Sequence, residues 1–284
     1  MKVEKTIKSI ITLFAIVITT INSKAQEIIY EKADSIFIEE IICKHATEQA
    51  TKTGDKITAV AQEFIGRKYF AGTLDKYDNE PLYINSYKLD CTTFVELTLA
   101  IATSKGDCFA DVCRNLELIR YRNGKNNGYT SRLHYISWWI SDPAKRSIIK
   151  EIETNIHTAE QKLNLNFMSS HPESYSLLKE NRQRTEEIAK FEKESSNVSI
   201  KYIPKENIRQ ITADEIKEGD IIAIVTAIKG LDVSHVGFAH WHGDTLHMIH
   251  ASSTAGKVID DSTPLADYLA KRKSHLGIRI FRAL

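Results

Sequence analysis

The spacing of apolar and polar positions divides the chain into a helical first part and a strand-rich last part. Apolar residues recur at helical spacing over 57–64, and Gly66 predicts the end of that helix. From residue 202 onward, β-branched runs such as 221–226 are separated by turns that contain glycine. Helices followed by antiparallel strands predict an α+β fold, with the helices packed on a C-terminal sheet.

A helix predicted to begin near Asp90 carries a cysteine in its first turn. Cys91 shares one apolar stripe with Phe94 and Val95, and Asp90 is a suitable N-cap. A thiol reacts as the thiolate, and a helix N-terminus with a nearby imidazole is a common way to lower its pKa. His235, at the start of a later strand, supplies the imidazole. We therefore predict a cysteine hydrolase or transferase, with a buried core cysteine as the alternative.

The turn at 243–244 predicts which histidines share a face of the sheet. A two-residue hairpin loop there places Gly237 opposite His250, so that His235 and His250 become diagonal neighbours on one face. His240 then pairs with His247 on the other face. In this interpretation Cys91 attacks, His235 takes its proton and His250 orients His235, while N–H groups at the start of the helix stabilise an oxyanion.

Five histidines between positions 235 and 250 also raise the alternative of a zinc site. The predicted register divides them between two faces, and no carboxylate follows at a convincing ligand spacing. We therefore predict no metal ligands and no cofactor, and we assign His240, His242 and His247 to the surface or to positions behind the catalytic pair.

The first residues predict export. Lys2, Lys5 and Lys8 precede an apolar run over 10–21, and small residues at 23 and 25 match a cleavage site after Ala25. The run is short for a membrane span, although an uncleaved anchor is the alternative. We expect 1–25 to be a signal peptide and 26–284 to be a periplasmic protein without a membrane span.

Net charge and cysteine content bear on the binding partners and on possible disulfides. Cleavage removes four of 38 basic and one of 37 acidic residues, which leaves a net charge of −2 with neutral histidines. Without a basic block, nucleic acid is not an expected partner. Cys108 and Cys113 either form a disulfide or are ordinary free residues, and spacing does not decide between these. We expect one domain over 26–284, with a charged, helical insertion at about 105–205.

The order of the motifs resembles the NlpC-type branch of papain-like cysteine peptidases. The matching segments are a glycine-bounded tyrosine loop at 66–72, Asp-Cys-x-x-Phe-Val at 90–95, Gly-Asp at 219–220, His-Val-Gly at 235–237 and Ile-His-Ala-Ser at 249–252. The resemblance implies a papain-like fold, a triad of Cys91, His235 and His250, and Tyr69 beside the nucleophile. The first loop departs from the usual pattern because it lacks proline before the tyrosine and paired glycines after it.

The long insertion and the segments 131–135, 166–169 and 231–235 are similar to the N-acetylmuramoyl-L-alanine amidase-like group. That resemblance implies cleavage of the amide between N-acetylmuramic acid and L-alanine, with peptidoglycan fragments (muropeptides) as the substrate. Arg132 could clamp a substrate carboxylate, and Trp138 or its neighbour could stack on a sugar, although core packing explains each tryptophan equally well. The expected substrate-binding residues are Tyr69, Arg132, His134, Tyr135, Trp138 and Ser234.

Two other functions stay open at this point. Broader relatives cut within the stem peptide, between γ-D-glutamate and the diamino acid, by the same acyl-thioenzyme chemistry. A catalytically inert module that binds the wall is the alternative from a different class. The triad does not distinguish the two amide bonds, because both reactions need the same three side chains.

Overall fold

The computed structural model describes residues 27–46, 52–142 and 148–284, so the predicted signal peptide lies outside the described residues. The helices are α1 (Lys32–Ala46), α2 (Thr53–Glu63), α3 (Cys91–Ala102), α4 (Phe109–Arg120), α5 (Ile136–Ser141), α6 (Phe167–Ser170), α7 (Arg182–Glu194) and α8 (Leu265–Ala270). The strands are β1 (Ile28–Ile29), β2 (Lys68–Tyr69), β3 (Leu82–Tyr83), β4 (Lys88–Leu89), β5 (Ile149–Glu151), β6 (Ala159–Lys162), β7 (Ser199–Pro204), β8 (Ile221–Thr226), β9 (Val233–His242), β10 (Thr245–Ser252), β11 (Lys257–Asp261) and β12 (His275–Ala283).

The protein is α+β, with helices packed against one large and mainly antiparallel sheet. The strand order across the described residues is β4-β2-β11-β10-β9-β8-β12-β7-β6, and β5 pairs with β12. The strand predicted at 221–226 is β8, and the hairpin predicted about 243–244 joins β9 and β10. The pattern missed β11, a short strand that follows β10 after a four-residue turn.

The packing of α2 and α3 on the sheet places the start of α3 beside β9. Phe94 of α3 meets Phe64 edge-on at 5.9 Å and Phe238 of β9 at 5.6 Å between ring centroids. All three rings are fully buried. Edge-to-face aromatic contacts add about 0.5–1.5 kcal/mol each beyond the burial of area. This stack therefore fixes the height of α3 over β9, and with it the position of Cys91.

The insertion at 105–205 differs from the prediction of a helical segment. It contains α4, α5, α6 and α7, but it also contributes β5, β6 and β7 to the main sheet. These strands were not predicted because the segment is rich in charged residues. In β6, for example, burial alternates residue by residue, and the exposed positions carry Glu and Lys. The insertion is therefore continuous with the sheet. None of the described helices is long and apolar enough to cross a membrane.

Candidate active site

Cys91 is the first residue of α3, and a capping box fixes this helix start. The Asp90 side chain accepts a hydrogen bond from the Thr93 N–H at 2.8 Å, and the Thr93 hydroxyl accepts one from the Asp90 N–H at 2.9 Å. Such a cap contributes about 1 kcal/mol to helix stability. Asp90 was predicted as the N-cap. Glu96, one turn into the helix, pairs with Arg120.

The hairpin of β9 and β10 has the predicted register, with two-residue loop 243–244 and His240 opposite His247. A Cβ atom on Gly237 would lie 2.8 Å from the Cβ of His250. Since that distance is shorter than real Cβ contacts, glycine at 237 allows the two strands to approach at this point. His235 and His250 consequently share a face.

Three side chains from adjacent strands form a hydrogen-bonded chain. His235 Nε2 of β9 lies 2.6 Å from His250 Nδ1 of β10, and His250 Nε2 lies 3.3 Å from Asp261 Oδ2 at the end of β11. His250 is fully buried. Burial raises the pKa of Asp261, but hydrogen bonds from Thr263 and His250 outweigh it, so that the pKa of this carboxyl lies below its usual range. Asp261 is therefore a carboxylate at neutral pH.

The protonation of both rings follows from these partners. A carboxylate only accepts, so neutral His250 donates from Nε2 to Asp261 and carries a lone pair at Nδ1. His235 then donates from Nε2 to that lone pair, which leaves Nδ1 of His235 unprotonated. Nδ1 is thus the atom of His235 that can accept a proton.

Asp261 is the site residue that sequence reasoning missed. A parity argument for the next hairpin would have found it, because β10 and β11 pair His250 with Ile259. Asp261 is then the diagonal neighbour of His250 on the same face. The signal was present, but it depended on recognising β11 as a strand.

Cys91 and His235 line one cavity of about 120 Å³. The first turn of α3 and the start of β9 form its two sides, and the Val236 backbone lies beside the sulfur of Cys91. A one-residue bulge interrupts β9 at Ser234, between the pairs that join Val225 to Val233 and Ile224 to His235. Bulges often re-aim side chains beside active sites, and here the bulge immediately precedes His235.

The electrostatics of the cavity favour a neutral pair rather than a preformed ion pair. Burial raises the pKa of the Cys91 thiol to about 11, and the Asp90 carboxylate adds to the rise against hydrogen bonds from Val236 and Thr92. Burial and, to a smaller extent, the neighbouring His250 lower the pKa of His235 to about 3. The expected lowering of the thiol pKa is therefore wrong for the substrate-free protein. His235 is neutral at pH 7 and can accept a proton.

Three of the expected substrate-binding residues line this cavity, namely His134, Tyr135 and Ser234. His134 donates from Nε2 to the Tyr129 carbonyl at 3.1 Å, and burial lowers its pKa to about 3. The Tyr135 hydroxyl donates to Glu192 of α7 at 2.6 Å, and Glu192 does not line the cavity. Ser234 is exposed at the rim.

Tyr69 of β2 lies beside Cys91. Burial raises the pKa of its hydroxyl, and the nearby Cys91 and Asp90 raise it further. The phenol is therefore neutral at pH 7 and retains its O–H as a hydrogen-bond donor beside the sulfur.

Arg132 does not reach the cavity, and the predicted clamp on a substrate carboxylate is wrong. Its guanidinium donates to both oxygens of Glu80 at 3.0 and 2.7 Å, to Asp75 at 2.8 Å and to the Leu74 carbonyl at 3.1 Å. These bonds leave no pair of N–H groups for a second carboxylate. Arg132 instead holds the 73–80 loop against the 129–133 segment.

Trp138 is a core residue, and its predicted stacking on a sugar is wrong. The side chain is fully buried, with its ring 4.8 Å from that of Tyr135 and 6.0 Å from that of Phe191. Its neighbour Trp139 lines the cavity instead, and its indole N–H donates to the Ile119 carbonyl at 2.6 Å. Helical spacing explains why Trp139 rather than Trp138 lines the cavity, because adjacent residues on a helix point in directions about 100° apart.

Two carboxylates complete the cavity wall, and both are already bonded. Glu96 pairs with the buried Arg120 at 2.7 Å. Asp232 accepts the backbone N–H groups of Ser137 at 2.6 Å and of Val233 at 2.7 Å. All four cysteines of the chain are free, including Cys108 and Cys113.

With this geometry established, comparison with known proteins identifies the family. The sequence profile of the N-acetylmuramoyl-L-alanine amidase-like family matches residues 59–278. The chain belongs to this family. A comparison with curated proteins finds no match.

Solved structures of related proteins have a similar fold. An N-acetylmuramoyl-L-alanine amidase from Bacteroides uniformis ATCC 8492 is 35% identical, covers 82% of this chain and 99% of its own, and has a TM-score of 0.77. A proposed xylanase from Bacteroides fragilis is 42% identical, with 79% and 99% covered and a TM-score of 0.73. A Legionella pneumophila protein is 26% identical, with 89% and 94% covered and a TM-score of 0.66.

Proposed function

We propose that this protein is an exported cysteine amidase that hydrolyses the bond between N-acetylmuramic acid and L-alanine in muropeptides. The observation that carries the proposal is that Cys91 and His235 line one cavity, and that His250, held by Asp261, is hydrogen-bonded to His235. Membership of an amidase-like family supports the choice of bond and of a peptidoglycan substrate. The papain-like arrangement and periplasmic location belong to the same proposal.

The first half of the reaction transfers the sugar acid to the enzyme. As the Cys91 sulfur attacks the lactyl carbonyl carbon, Nδ1 of His235 accepts the thiol proton, so that no free thiolate forms in the buried site. Backbone N–H groups at the start of α3 stabilise the oxyanion. His235 then gives its proton to the departing L-alanine nitrogen, and the C–N bond breaks to leave a thioester on Cys91.

The second half regenerates the enzyme. Water attacks the thioester carbonyl and gives a proton to Nδ1 of His235, and the C–S bond breaks as that proton returns to sulfur. During each step in which His235 is charged, His250 accepts a hydrogen bond from it and Asp261 holds His250. This chain positions the imidazole and stabilises its positive charge.

The name of the Bacteroides fragilis relative raises glycoside hydrolysis as a second activity. That chemistry generally needs a pair of carboxyl groups, one as acid and one as base or nucleophile. In the cavity of this chain, Glu96 is paired with Arg120, and both oxygens of Asp232 accept backbone N–H groups. The cavity therefore favours thiol chemistry on an amide.

The test is product analysis. The chain from residue 26 onward is incubated with a disaccharide tetrapeptide, and the products are identified by mass spectrometry. We expect free disaccharide and an intact tetrapeptide, no turnover in Cys91→Ala, and normal turnover in Cys108→Ala, which removes an exposed free cysteine as a matched control. A disaccharide that retains L-alanine and γ-D-glutamate would instead identify a stem-peptide endopeptidase, and full activity of Cys91→Ala would refute thiol catalysis.

A further inference from the structure

A second group of side chains with metal-ligand chemistry lies at the opposite end of β9. His240 and His242 are two residues apart on this strand and therefore point to the same face. The side chain of His235 points to the other face, since the strand is regular between these positions. At about 3.3 Å per residue, the pair lies roughly 17–23 Å along the strand from His235. It is separate from the proposed active site.

A carboxylate from another strand completes this group. Asp260 of β11 places Oδ2 3.0 Å from His242 Nε2 and 3.5 Å from His240 Nε2. One ligand atom from each of the three residues lies within 4.8 Å of the other two. In a tetrahedral zinc site with bonds near 2.0–2.1 Å, ligand atoms are about 3.3 Å apart. Two of the three edges thus lie within a few tenths of an ångström of the tetrahedral value.

The orientation of His240 gives independent support. Its Nδ1 hydrogen-bonds Glu218, whose two oxygens also accept from the Thr58 hydroxyl at 3.0 Å and the Trp241 N–H at 3.1 Å. Since Glu218 is held as an acceptor, His240 donates to it from Nδ1, and Nε2, which lies toward Asp260, is the ring atom left to bind a metal.

The second ring is also oriented. His247 stacks on His242 with centroids 4.1 Å apart and planes 20° from parallel. His247 itself is fixed by a hydrogen bond between its Nδ1 and the Asp261 carbonyl at 2.9 Å. His242 therefore presents Nε2 to Asp260 from a restrained position, as ligands in metal sites do.

We propose that His240, His242 and Asp260 bind one zinc ion, with Glu218 orienting His240 from behind. Two imidazoles and one carboxylate are a donor set that suits zinc, and the partly exposed side leaves a position for water. The ion would join β9 to β11 across β10. Through Glu218 and Thr58, it would also connect this end of the sheet to α2. Its role is therefore to stabilise this end of the sheet.

The sequence argument against a metal overlooked one carboxylate. It is correct that the five histidines divide between two faces. However, the missing carboxylate comes from β11, 18 residues beyond His242, and that strand was not predicted. This proposal therefore departs from the prediction of no metal ligands.

Zinc binding to the tag-free chain, freed of metal with EDTA, tests the proposal by calorimetry and thermal unfolding. Cys91→Ala serves as the background, which removes a competing thiol. We expect one zinc ion per chain, a higher Tm with zinc, and affinity at least tenfold weaker in His242→Ala. His157→Ala is the matched control, an exposed histidine outside the group, and should bind as the background does.

A second group of possible metal ligands is tested in the same experiment. Asp107, Cys108 and Asp111 also approach one another at the surface, so Cys108→Ser is measured in parallel. Affinity lost in Cys108→Ser but kept in His242→Ala would overturn the proposal, as would the absence of any zinc-dependent change in heat or Tm. Because none of these readouts uses turnover, the result is independent of the amidase proposal.

Discussion

His134 gives a quantitative prediction about acid stability. It lies in the cavity wall, where burial and the Arg132 charge lower its pKa to about 3, against 6.5 for an ordinary histidine. Between these pH values the unfolded chain binds a proton at this position and the folded chain does not. Stability must therefore rise with pH through the window, and it is lost as pH falls from about 6.5 toward 3.

The size of the effect follows from those two pKa values. On lowering the pH from 6 to 4, one such histidine costs about 2.5 kcal/mol of unfolding free energy. His235 has the same lowered pKa and contributes a second, similar loss. His134→Gln keeps a donor for the Tyr129 carbonyl but does not titrate. Of the unfolding free energy that positions 134 and 235 together lose between pH 6 and pH 4, the variant should therefore lose about half.

Urea unfolding at pH 4, 5, 6 and 7 measures the difference. Every other titrating group is common to both proteins, so the change in slope between wild type and His134→Gln isolates this residue. A uniform offset at all pH values reports only lost packing and is subtracted. Identical slopes in the two proteins would refute the buried, neutral state of His134.

Three further predictions concern the site and its support. Asp261→Asn should lower kcat roughly 10–100-fold with little change in KM, because it weakens the hydrogen bond that orients His250. Asp261→Glu should recover part of the activity, and a changed KM at constant kcat would contradict this role. Arg132→Met should lower the free energy of unfolding in urea by about 3–5 kcal/mol, because it leaves Glu80 buried without its ion-pair partner. A raised KM with unchanged stability would instead support binding of a substrate carboxylate by Arg132. Alkylation of Cys91 by iodoacetamide should accelerate about tenfold per pH unit from pH 7 to 10, since the thiol pKa is about 11, and a plateau below pH 8 would show a preformed thiolate.

Local patterns predicted the parts of the fold that depend on neighbours in sequence. The Asp90 cap, the start of α3 and the two-residue turn at 243–244 each depend on a few adjacent residues. Because a hairpin register follows from its turn, the approach of His235 and His250 was also predictable. These features were sufficient to place Cys91 at a helix start and the two histidines on one face of the sheet.

Features that depend on distant parts of the chain could not be found in this way. Arg132 has the side chain for a substrate clamp, but its partners Asp75 and Glu80 lie more than fifty residues away. The pKa of Cys91 depends on how deeply the helix start is covered, and helical spacing carries no information on that depth. Asp261 was missed because a five-residue strand between charged ends has little periodicity.

Mass spectrometry of the intact enzyme, quenched during turnover of a disaccharide tetrapeptide, tests the central claim most directly. The account predicts a covalent adduct with the mass of the disaccharide acyl group, located by peptide mapping on Cys91. An adduct that also contains L-alanine and γ-D-glutamate would keep the thiol mechanism but contradict the proposed bond. Turnover with no adduct on Cys91, in samples where the quench preserves a control thioester, would contradict the account itself.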